Sequence, residues 1–456
     1  MPTRTIKLSD LFSAAVERHQ KGELEVAAKL YRTYLAAAPG QARGWTNYGA
    51  LLRKQGHFAA AIAAHRKALQ LQPGMENAAN NLCNALADAG QFAEAIERRE
   101  ALHAANPDDF NKLRDLTVAL RGGWQHARVI STVDQAEARL GVENLGELQL
   151  QRALSRLMLG DYAGGFADFE ARYHGTEVSL PKDMPFPRWQ GEDLAGKRIL
   201  VMPEQGFGDA ILMARFLPRL KAMGAEVTLV VKPPLMRLFA ELEGVDRLVP
   251  SATKSDAYDF YTPNMSLPHF VGAESWPPPP PKLAIPEEAR ARAERLTRPF
   301  KDWFKVGVIW TGSLTYKANH RRSTAPESFL PLADLPGVQL FSLYKGDAHP
   351  AFMSSGMAGL ILDACGDEKD FADTAALIEE MDLLITTDTA VVHVAASLGK
   401  PIWNLLNHEG FWLYGTEETT PWYPSMRLYR QPASGDWESV FARVRDDLEA
   451  ELEARP

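Results

Sequence analysis

Two hydrophobic patterns divide the chain. In its second part, short apolar runs at 198–202, 306–310 and 383–386 show little polar alternation, and the first and the last lead through a turn into a stretch that reads as helix. Runs of this kind are typical of parallel strands that are covered on both faces. The repeated strand–helix order therefore predicts parallel-sheet α/β structure from about residue 198 onward.

The first third follows a different pattern, a repeat of 34 residues. Three sets of equivalent positions agree on this period: Gly22, Gly56 and Gly90; Ala27, Ala61 and Ala95; Pro39, Pro73 and Pro107. It is the period of tetratricopeptide helix pairs, in which glycine forms the turn, alanine permits close helix approach and proline ends the second helix. We predict about five pairs over residues 8–173, the last ones irregular and capping the next domain.

Composition restricts the functional classes. The 456 residues carry a net charge of −8 and are 46% hydrophobic, which fits two or three globular domains and argues against general nucleic-acid binding. The cysteines, Cys83 and Cys365, are too few and too far apart for a disulfide scaffold or a cysteine zinc cluster. Neither a signal-peptide core nor an apolar run of about 18 residues is present, so we predict a soluble, cytoplasmic protein without a membrane span.

The stretch 383–406 contains the first candidate site. Asp388 and Thr389 stand at the N-cap of a helix predicted from about Ala390 to Leu398, and Gly399 follows as a stop signal. A helix N-terminus beyond the carboxyl end of a parallel strand is an anion-binding position. The alternative is an ordinary strand–helix–strand unit whose aspartate only caps the helix.

Several residues of this stretch also form a recognisable motif. It comprises Asp388-Thr389-Ala390, His393, Ala395-Ala396 and Gly399-Lys400-Pro401. The motif resembles the donor-binding signature of heptosyltransferase-like glycosyltransferases (glycosyltransferase family 9, GT-B fold), and most resembles a bacterial subgroup in which this module follows tetratricopeptide repeats. The resemblance implies that Thr389 and Ala390 hold the phosphate or diphosphate of a nucleotide-sugar, with Asp388 and His393 beside it.

The resemblance also implies a domain order. A tetratricopeptide solenoid would occupy residues 1–173, and a linker with the acceptor-binding Rossmann-like half residues 174–280. The nucleotide-sugar-binding half, with a closing helix, would occupy residues 281–456. The proline run 277–281 is a stiff spacer, which suits a boundary between the halves.

The acceptor half has its own motif, Gly206-Phe207-Gly208-Asp209. The third glycine of a dinucleotide fingerprint would fall at Ile211 and is missing, so NAD binding is not predicted. The segment is similar to the Gly-x-Gly-Asp loop of family 9, which implies that Asp209 is the general base for an acceptor hydroxyl beside Gly206 and Gly208. Capping of the following helix is the alternative role for Asp209. By the same resemblance, Asn264 faces the acceptor.

A basic loop follows the first strand of the donor half. The residues predicted to contact the donor there are Thr311, Gly312, Lys317, Arg321 and Arg322. Cations at the carboxyl end of a strand suit phosphate oxygens, and we predict contacts from Lys317 and from one of the two arginines. A solvated basic loop is the alternative. The resemblance adds Tyr344, near the nucleotide base.

The repeat array suggests a protein acceptor. Asn47 and Asn81 occupy equivalent positions, which is similar to the asparagine ladder of O-GlcNAc transferase repeats, although asparagine on a polar helix face is also ordinary. We therefore predict transfer of a sugar to Ser or Thr of a protein, with a flagellin-like acceptor favoured by resemblance.

Two other functions stay open. One is sugar transfer to lipopolysaccharide or another glycolipid, and the other is a non-catalytic repeat scaffold. The donor would be a nucleoside-diphosphate sugar or a CMP-activated nonulosonic acid. No Asp-x-Asp tripeptide stands at a strand end and no His/carboxylate cluster has ligand spacing, so we expect neither a metal nor another cofactor.

Overall fold

The computed structural model describes residues 7–141, 145–174, 176–252, 257–272, 276–316, 318–366 and 368–455. Two compact units are present, residues 1–142 and residues 143–456.

The first unit consists of consecutive helix pairs. Its helices are α1 (Leu8–Gln20), α2 (Leu24–Ala37), α3 (Ala42–Lys54), α4 (Phe58–Leu71), α5 (Glu76–Asp88), α6 (Phe92–Ala105), α7 (Phe110–Gly122) and α8 (His126–Leu140). The repeat glycines Gly22, Gly56 and Gly90 have φ angles of 78°, 82° and 72°, a left-handed conformation that glycine adopts without steric cost. The repeat alanines are completely buried. The predicted helix-pair repeat is confirmed.

A histidine is buried between the helices of the second pair. His65 of α4 lies against Gly49 of α3, where an added Cβ would come within 2.7 Å of the ring, and its Nδ1 is 3.1 Å from the Thr46 hydroxyl. Burial, helped by the charge of Arg53, lowers the pKa of His65 to about 4. The ring is therefore neutral in the folded array.

We expect α3 and α4 to lose stability as the pH falls from 6.5 toward 4. The unfolded chain takes up the His65 proton first, so each pH unit in this range costs about 1.4 kcal/mol. Hydrogen-exchange mass spectrometry of α3 and α4 peptides, corrected for intrinsic exchange rates, measures this dependence. The His65→Gln variant should show a weaker dependence of this local stability on pH than the wild type. Equal pH dependence in the variant and the wild type would contradict the prediction.

The second unit begins with one more helix pair, α9 (Gly146–Met158) and α10 (Tyr162–Phe169). Phe166 of α10 stacks on Trp276 at a centroid distance of 5.5 Å and meets Trp412 edge-on at 5.5 Å. These contacts explain why the last pair groups with the α/β region. The chain divides between residues 142 and 143, whereas the domain boundaries at 173 and 280 stay predictions.

Two parallel sheets follow. The first has the order β3-β2-β1-β4, and its elements are β1 (Arg198–Met202), α11 (Phe207–Met213), α12 (Leu217–Ala222), β2 (Glu226–Val230), β3 (Arg247–Val249), β4 (Phe260–Pro263) and α13 (Leu267–Val271). Below, the segment from β1 to α13 is called the first half.

The second sheet has the order β10-β9-β8-β5-β6-β7, again all parallel. Its strands are β5 (Phe304–Ile309), β6 (Val338–Ser342), β7 (Ile361–Asp363), β8 (Leu383–Thr387), β9 (Ile402–Leu406) and β10 (Met426–Arg430). The helices of this second half are α14 (Glu287–Thr297), α15 (Asn319–Arg322), α16 (Leu330–Ala333), α17 (His349–Ser354), α18 (Phe371–Glu380), α19 (Ala390–Ser397) and α20 (Trp437–Glu453). The predicted fold class, a helical repeat array followed by a pair of parallel α/β halves, is confirmed.

The two halves contact each other at several points. Phe207 at the start of α11 packs on Phe371 of α18 at 5.1 Å. Arg237 of the first half donates to Asp370 at 2.9 Å and to Asp373 at 3.0 Å in the second. Among the described residues, no helix is long and apolar enough to cross a membrane.

Candidate functional site

The loop after β1 forms one side of the site. This acceptor-side loop, residues 203–206, leads into the first turn of α11, where the Asp209 carboxylate accepts the Gly206 N–H at 2.9 Å. Gln205 has a φ of 65°, a left-handed conformation that is uncommon for a side chain of this kind. The carboxylate is thus held in one orientation by its own helix start, so the predicted capping contact is present.

Asp209 has an unusual ionisation. Burial raises the pKa of its carboxyl to about 6, against the lowering effect of its backbone hydrogen bonds. The negative charges of Asp388 and Glu204 raise it further. A carboxylate that titrates close to neutrality is suited to take a proton from a hydroxyl.

The second side of the site is the start of α19, here called the donor-helix start, residues 388–390. Thr389 is the N-cap residue, but its side chain caps nothing, and its hydroxyl oxygen is buried without a hydrogen-bond partner. The Asp388 carboxylate instead accepts from the Tyr414 hydroxyl at 2.6 Å. The predicted N-cap position is therefore occupied by Thr389, whereas the alternative role of Asp388, capping of α19, is wrong.

The unused donors at this helix start are backbone groups. Within the part of the chain that the structure describes, the N–H groups of Ala390 and Val391 have no acceptor. With the unpartnered Thr389 hydroxyl, they present three hydrogen-bond donors at the positive end of α19. This arrangement can bind an anionic oxygen.

His393, one turn further along α19, brings the two halves together. An added Cβ at Gly208 would lie 2.9 Å from His393 Cδ2, so only glycine fits there without displacing the ring. His393 Nδ1 is 2.8 Å from the Tyr423 hydroxyl oxygen. Burial, together with the charge of Arg215, lowers the pKa of His393 to about 3, so the ring is neutral.

The basic loop after β5 lies on the same edge of the second sheet. Thr311 is buried, and its hydroxyl is bonded to Ser323 at 2.8 Å and to the Asn319 amide at 2.9 Å. Arg322 donates to Asn319 at 3.1 Å, and its guanidinium lies so close to Gly312 that an added Cβ would come within 2.5 Å of it. This small polar cluster positions the arginine.

The two arginines of this loop have different surroundings. Burial raises the pKa of Asp388, against the lowering effects of its hydrogen bond with Tyr414 and of the Arg322 charge. Arg321 forms an ion pair with Glu409 at 2.6 Å. Arg322 is therefore the better candidate for an anion at the donor-helix start, whereas Lys317 lies outside the described residues.

Other predicted contacts have their polar atoms engaged within the protein. Tyr344 is buried against Trp310 at 5.1 Å, and its hydroxyl oxygen accepts the Ala348 N–H at 3.2 Å. Asn264 is 4% exposed and accepts the Glu204 N–H at 3.0 Å. Both side chains support their loops, and their contacts with donor or acceptor stay predictions.

The asparagines of the array belong to the first unit. Asn47 is half-buried and donates to the Arg43 carbonyl of its own helix at 3.0 Å, and Asn81 is half-buried on α5. Their contact with an acceptor likewise stays a prediction.

Sequence reasoning missed Tyr414 and Arg215. Tyr414 lies in the aromatic stretch after β9. The composition of this stretch predicts a cleft-lining loop, but it does not indicate which aromatic residue contacts Asp388. Arg215 is 3% exposed and lies over the Tyr423 ring at 4.8 Å, a contact that no motif signals. Over the described ranges, no group of three or more His, Cys, Asp or Glu side chains has the arrangement of a metal site.

Two family models match this chain. The tetratricopeptide repeat model matches residues 52–120, and the glycosyltransferase family 9 (heptosyltransferase) model matches residues 361–408, which include the donor-helix start. The chain therefore combines tetratricopeptide repeats with a heptosyltransferase-like segment, as the motif resemblance predicted.

Similar proteins include Protein FlbA of Caulobacter vibrioides. It is 30% identical over 342 residues, which are 67% of this chain and 55% of that protein, so the chain spans about half the length of this relative.

Among solved structures, the family 9 glycosyl transferase of Veillonella parvula is 15% identical, with a TM-score of 0.41 over 57% of this chain and 91% of that one. A tetratricopeptide repeat protein of Parabacteroides merdae is 18% identical, with a TM-score of 0.31 over 38% and 66%.

Proposed function

We propose that this protein is a glycosyltransferase that moves a sugar from a nucleotide-activated donor to a Ser or Thr hydroxyl of a protein acceptor. One observation carries the proposal: the first turn of α11, with Asp209, meets the first turn of α19 at the Gly208–His393 contact. A base and an anion-binding helix start then flank the same space. The family 9 match over residues 361–408 supports the same reaction class.

The reaction assigns a role to each side. Asp209 accepts the proton of the acceptor hydroxyl as its oxygen bonds to the anomeric carbon. The bond from that carbon to the phosphate oxygen breaks, and its electron pair leaves with the nucleotide. The donors at the donor-helix start and the Arg322 guanidinium stabilise the resulting negative charge.

The repeat array makes a protein the preferred acceptor. Tetratricopeptide solenoids present extended concave surfaces, and Asn47 and Asn81 are our candidates for contacts with acceptor backbone. A flagellin-like protein is the acceptor we favour. A glycolipid acceptor is the competing proposal, and the experiment below separates them.

The test is the glycan mass on flagellin and secreted proteins of the source organism, in strains whose chromosomal gene for this protein is replaced by the wild-type gene or by the Asp209→Ala variant. We expect loss of a defined mass at Ser or Thr in the variant. The matched control is Asp302→Ala, which changes an exposed acid outside the site. Truncated lipopolysaccharide with unchanged proteins would favour a glycolipid acceptor, and no change in either would refute the enzyme.

Arg322→Ala should weaken nucleotide binding more than Arg321→Ala. Arg322 acts on the donor-helix start, whereas Arg321 is paired with Glu409. Loss of one charged hydrogen bond costs at least about 1.4 kcal/mol, or tenfold in Kd. Calorimetric titration with UDP, GDP, ADP and CMP measures this effect, and equal losses in the two variants would remove Arg322 from the donor site.

A further inference from the structure

The last helix pair reaches the acceptor-side loop through a buried arginine. Arg172, in the 3₁₀ turn Glu170–Tyr173 after α10, is 1% exposed. Its guanidinium holds the Glu204 carboxylate with two hydrogen bonds, Nε to Oε1 at 2.8 Å and Nη2 to Oε2 at 3.0 Å. It also donates to Glu170 at 2.7 Å and to Ser266 at 2.8 Å. A buried charge with this many partners defines one geometry.

Glu204 is held from both its side chain and its main chain. Its Oε2 also accepts the Tyr173 hydroxyl at 2.6 Å, and its backbone N–H donates to Asn264 at 3.0 Å. Two residues later, Gly206 is the N-cap residue of α11, the helix that carries Asp209. The path of the acceptor-side loop is therefore set where it meets the last helix pair.

We propose that Arg172 is a positioning residue for Asp209: by holding Glu204 it orients the acceptor-side loop and balances the negative charge beside the base. The inference rests on the proposed function, since it assigns Asp209 the role of base. It also makes α9, α10 and the following turn a working part of the catalytic region.

The alternative, a purely structural ion pair, is testable because the neighbouring helix pair contains a buried ion pair of its own. Arg152 of α9 binds Asp168 of α10 through two hydrogen bonds of 2.8 Å each and is 5% exposed. The hydrogen bonds described for Glu204 join it to Arg172, Tyr173 and Asn264, and none of these described bonds involves Arg152. Arg152→Met is therefore the matched control for Arg172→Met in the full-length protein.

The measurement is the ionisation midpoint of the Asp209 carboxyl, followed by infrared spectroscopy with ¹³C-labelled aspartate and assigned with Asp209→Asn. This measurement requires no turnover, so it tests the positioning role of Arg172 even if the protein transfers no sugar. We expect Arg172→Met to raise the midpoint by about one pH unit, since Glu204 is left without its counter-charge. Glu204→Gln should lower the midpoint, and Arg152→Met should leave it in place.

Kinetics supply the second readout. Arg172→Met should lower kcat about tenfold at pH 7 with an unchanged KM for the nucleotide-sugar, because the donor-helix start is not altered. If Arg172→Met does not fold, the proposal is tested by the Asp209 ionisation midpoint in Glu204→Gln, which should be lower than in the wild type. An Asp209 midpoint that is the same in the wild type, Glu204→Gln and any folded Arg172→Met protein would overturn the proposal.

Discussion

Asp209→Asn is expected to lower kcat by about 10²–10⁴-fold, the usual contribution of a general base. Asparagine has nearly the same shape, and its carbonyl oxygen can still accept the Gly206 N–H that Asp209 accepts at 2.9 Å. Only the proton acceptor is lost. The measurement is single-turnover transfer to an acceptor hydroxyl, with nucleotide affinity as an internal check that the donor side is intact.

The pH profile of the wild type should report the same group. The pKa of Asp209 is raised to about 6, so transfer should rise with pH through this value as the carboxylate forms. The neutral His393 contributes no step in this range, since its pKa is lowered to about 3. A wild-type rate that is flat between pH 5 and pH 7 would remove Asp209 as the base.

The Asp209→Asn variant should be less active than the wild type but more stable near neutral pH. The folded-state pKa of Asp209 lies above its ordinary value of 3.8, so ionisation makes folding less favourable as the pH rises through 6. Asp209→Asn should therefore raise the melting temperature at pH 7.5 and lose this advantage below about pH 3.8. A variant that is both inactive and less stable at pH 7.5 would point to a structural role.

Gly208→Ala is expected to lower kcat by up to about 10²-fold, the effect of a displacement near 1 Å in a catalytic site. The added methyl group would lie 2.9 Å from His393 Cδ2 and 3.4 Å from Ala390 Cα. His393 has little room to retreat, because it is buried and hydrogen-bonded to Tyr423. The substitution therefore separates the base from the donor-helix start.

The control for this variant is another glycine-to-alanine change. At Gly356 an added Cβ meets no heavy atom within 4 Å, and the backbone is not left-handed. Gly356→Ala should leave kcat and nucleotide affinity unchanged. A Gly208→Ala protein with wild-type kcat would show that the close approach of α11 and α19 is not required for transfer.

Much of the fold could be predicted because the relevant signals are local. The glycines of the 34-residue repeat occupy left-handed turns wherever the period places them, and the apolar run at 383–386 lies in the strand Leu383–Thr387. Helix α19 begins at Ala390, as the motif predicts. In each case a few neighbouring residues determine the backbone.

Side-chain roles at the site were less predictable. The sequence around Asp388 and Thr389 reads as a capping pair, yet Tyr414, 26 residues away, takes the Asp388 carboxylate. The Thr389 hydroxyl is buried without a hydrogen-bond partner. Arg321 and Arg322 are equivalent as sequence, but Glu409 pairs with the first and leaves the second near the donor-helix start.

The sequence alone determined the order of the elements, the repeat array, and the start of α19 directly after a parallel strand, since all three depend on neighbours within about one repeat. Tertiary structure alone decided that Gly208 meets His393, and that Arg172 reaches Glu204 across 32 residues of chain. These contacts form only when the two halves and the last helix pair pack together, and the desolvation that this packing causes is what raises the pKa of Asp209 toward neutrality.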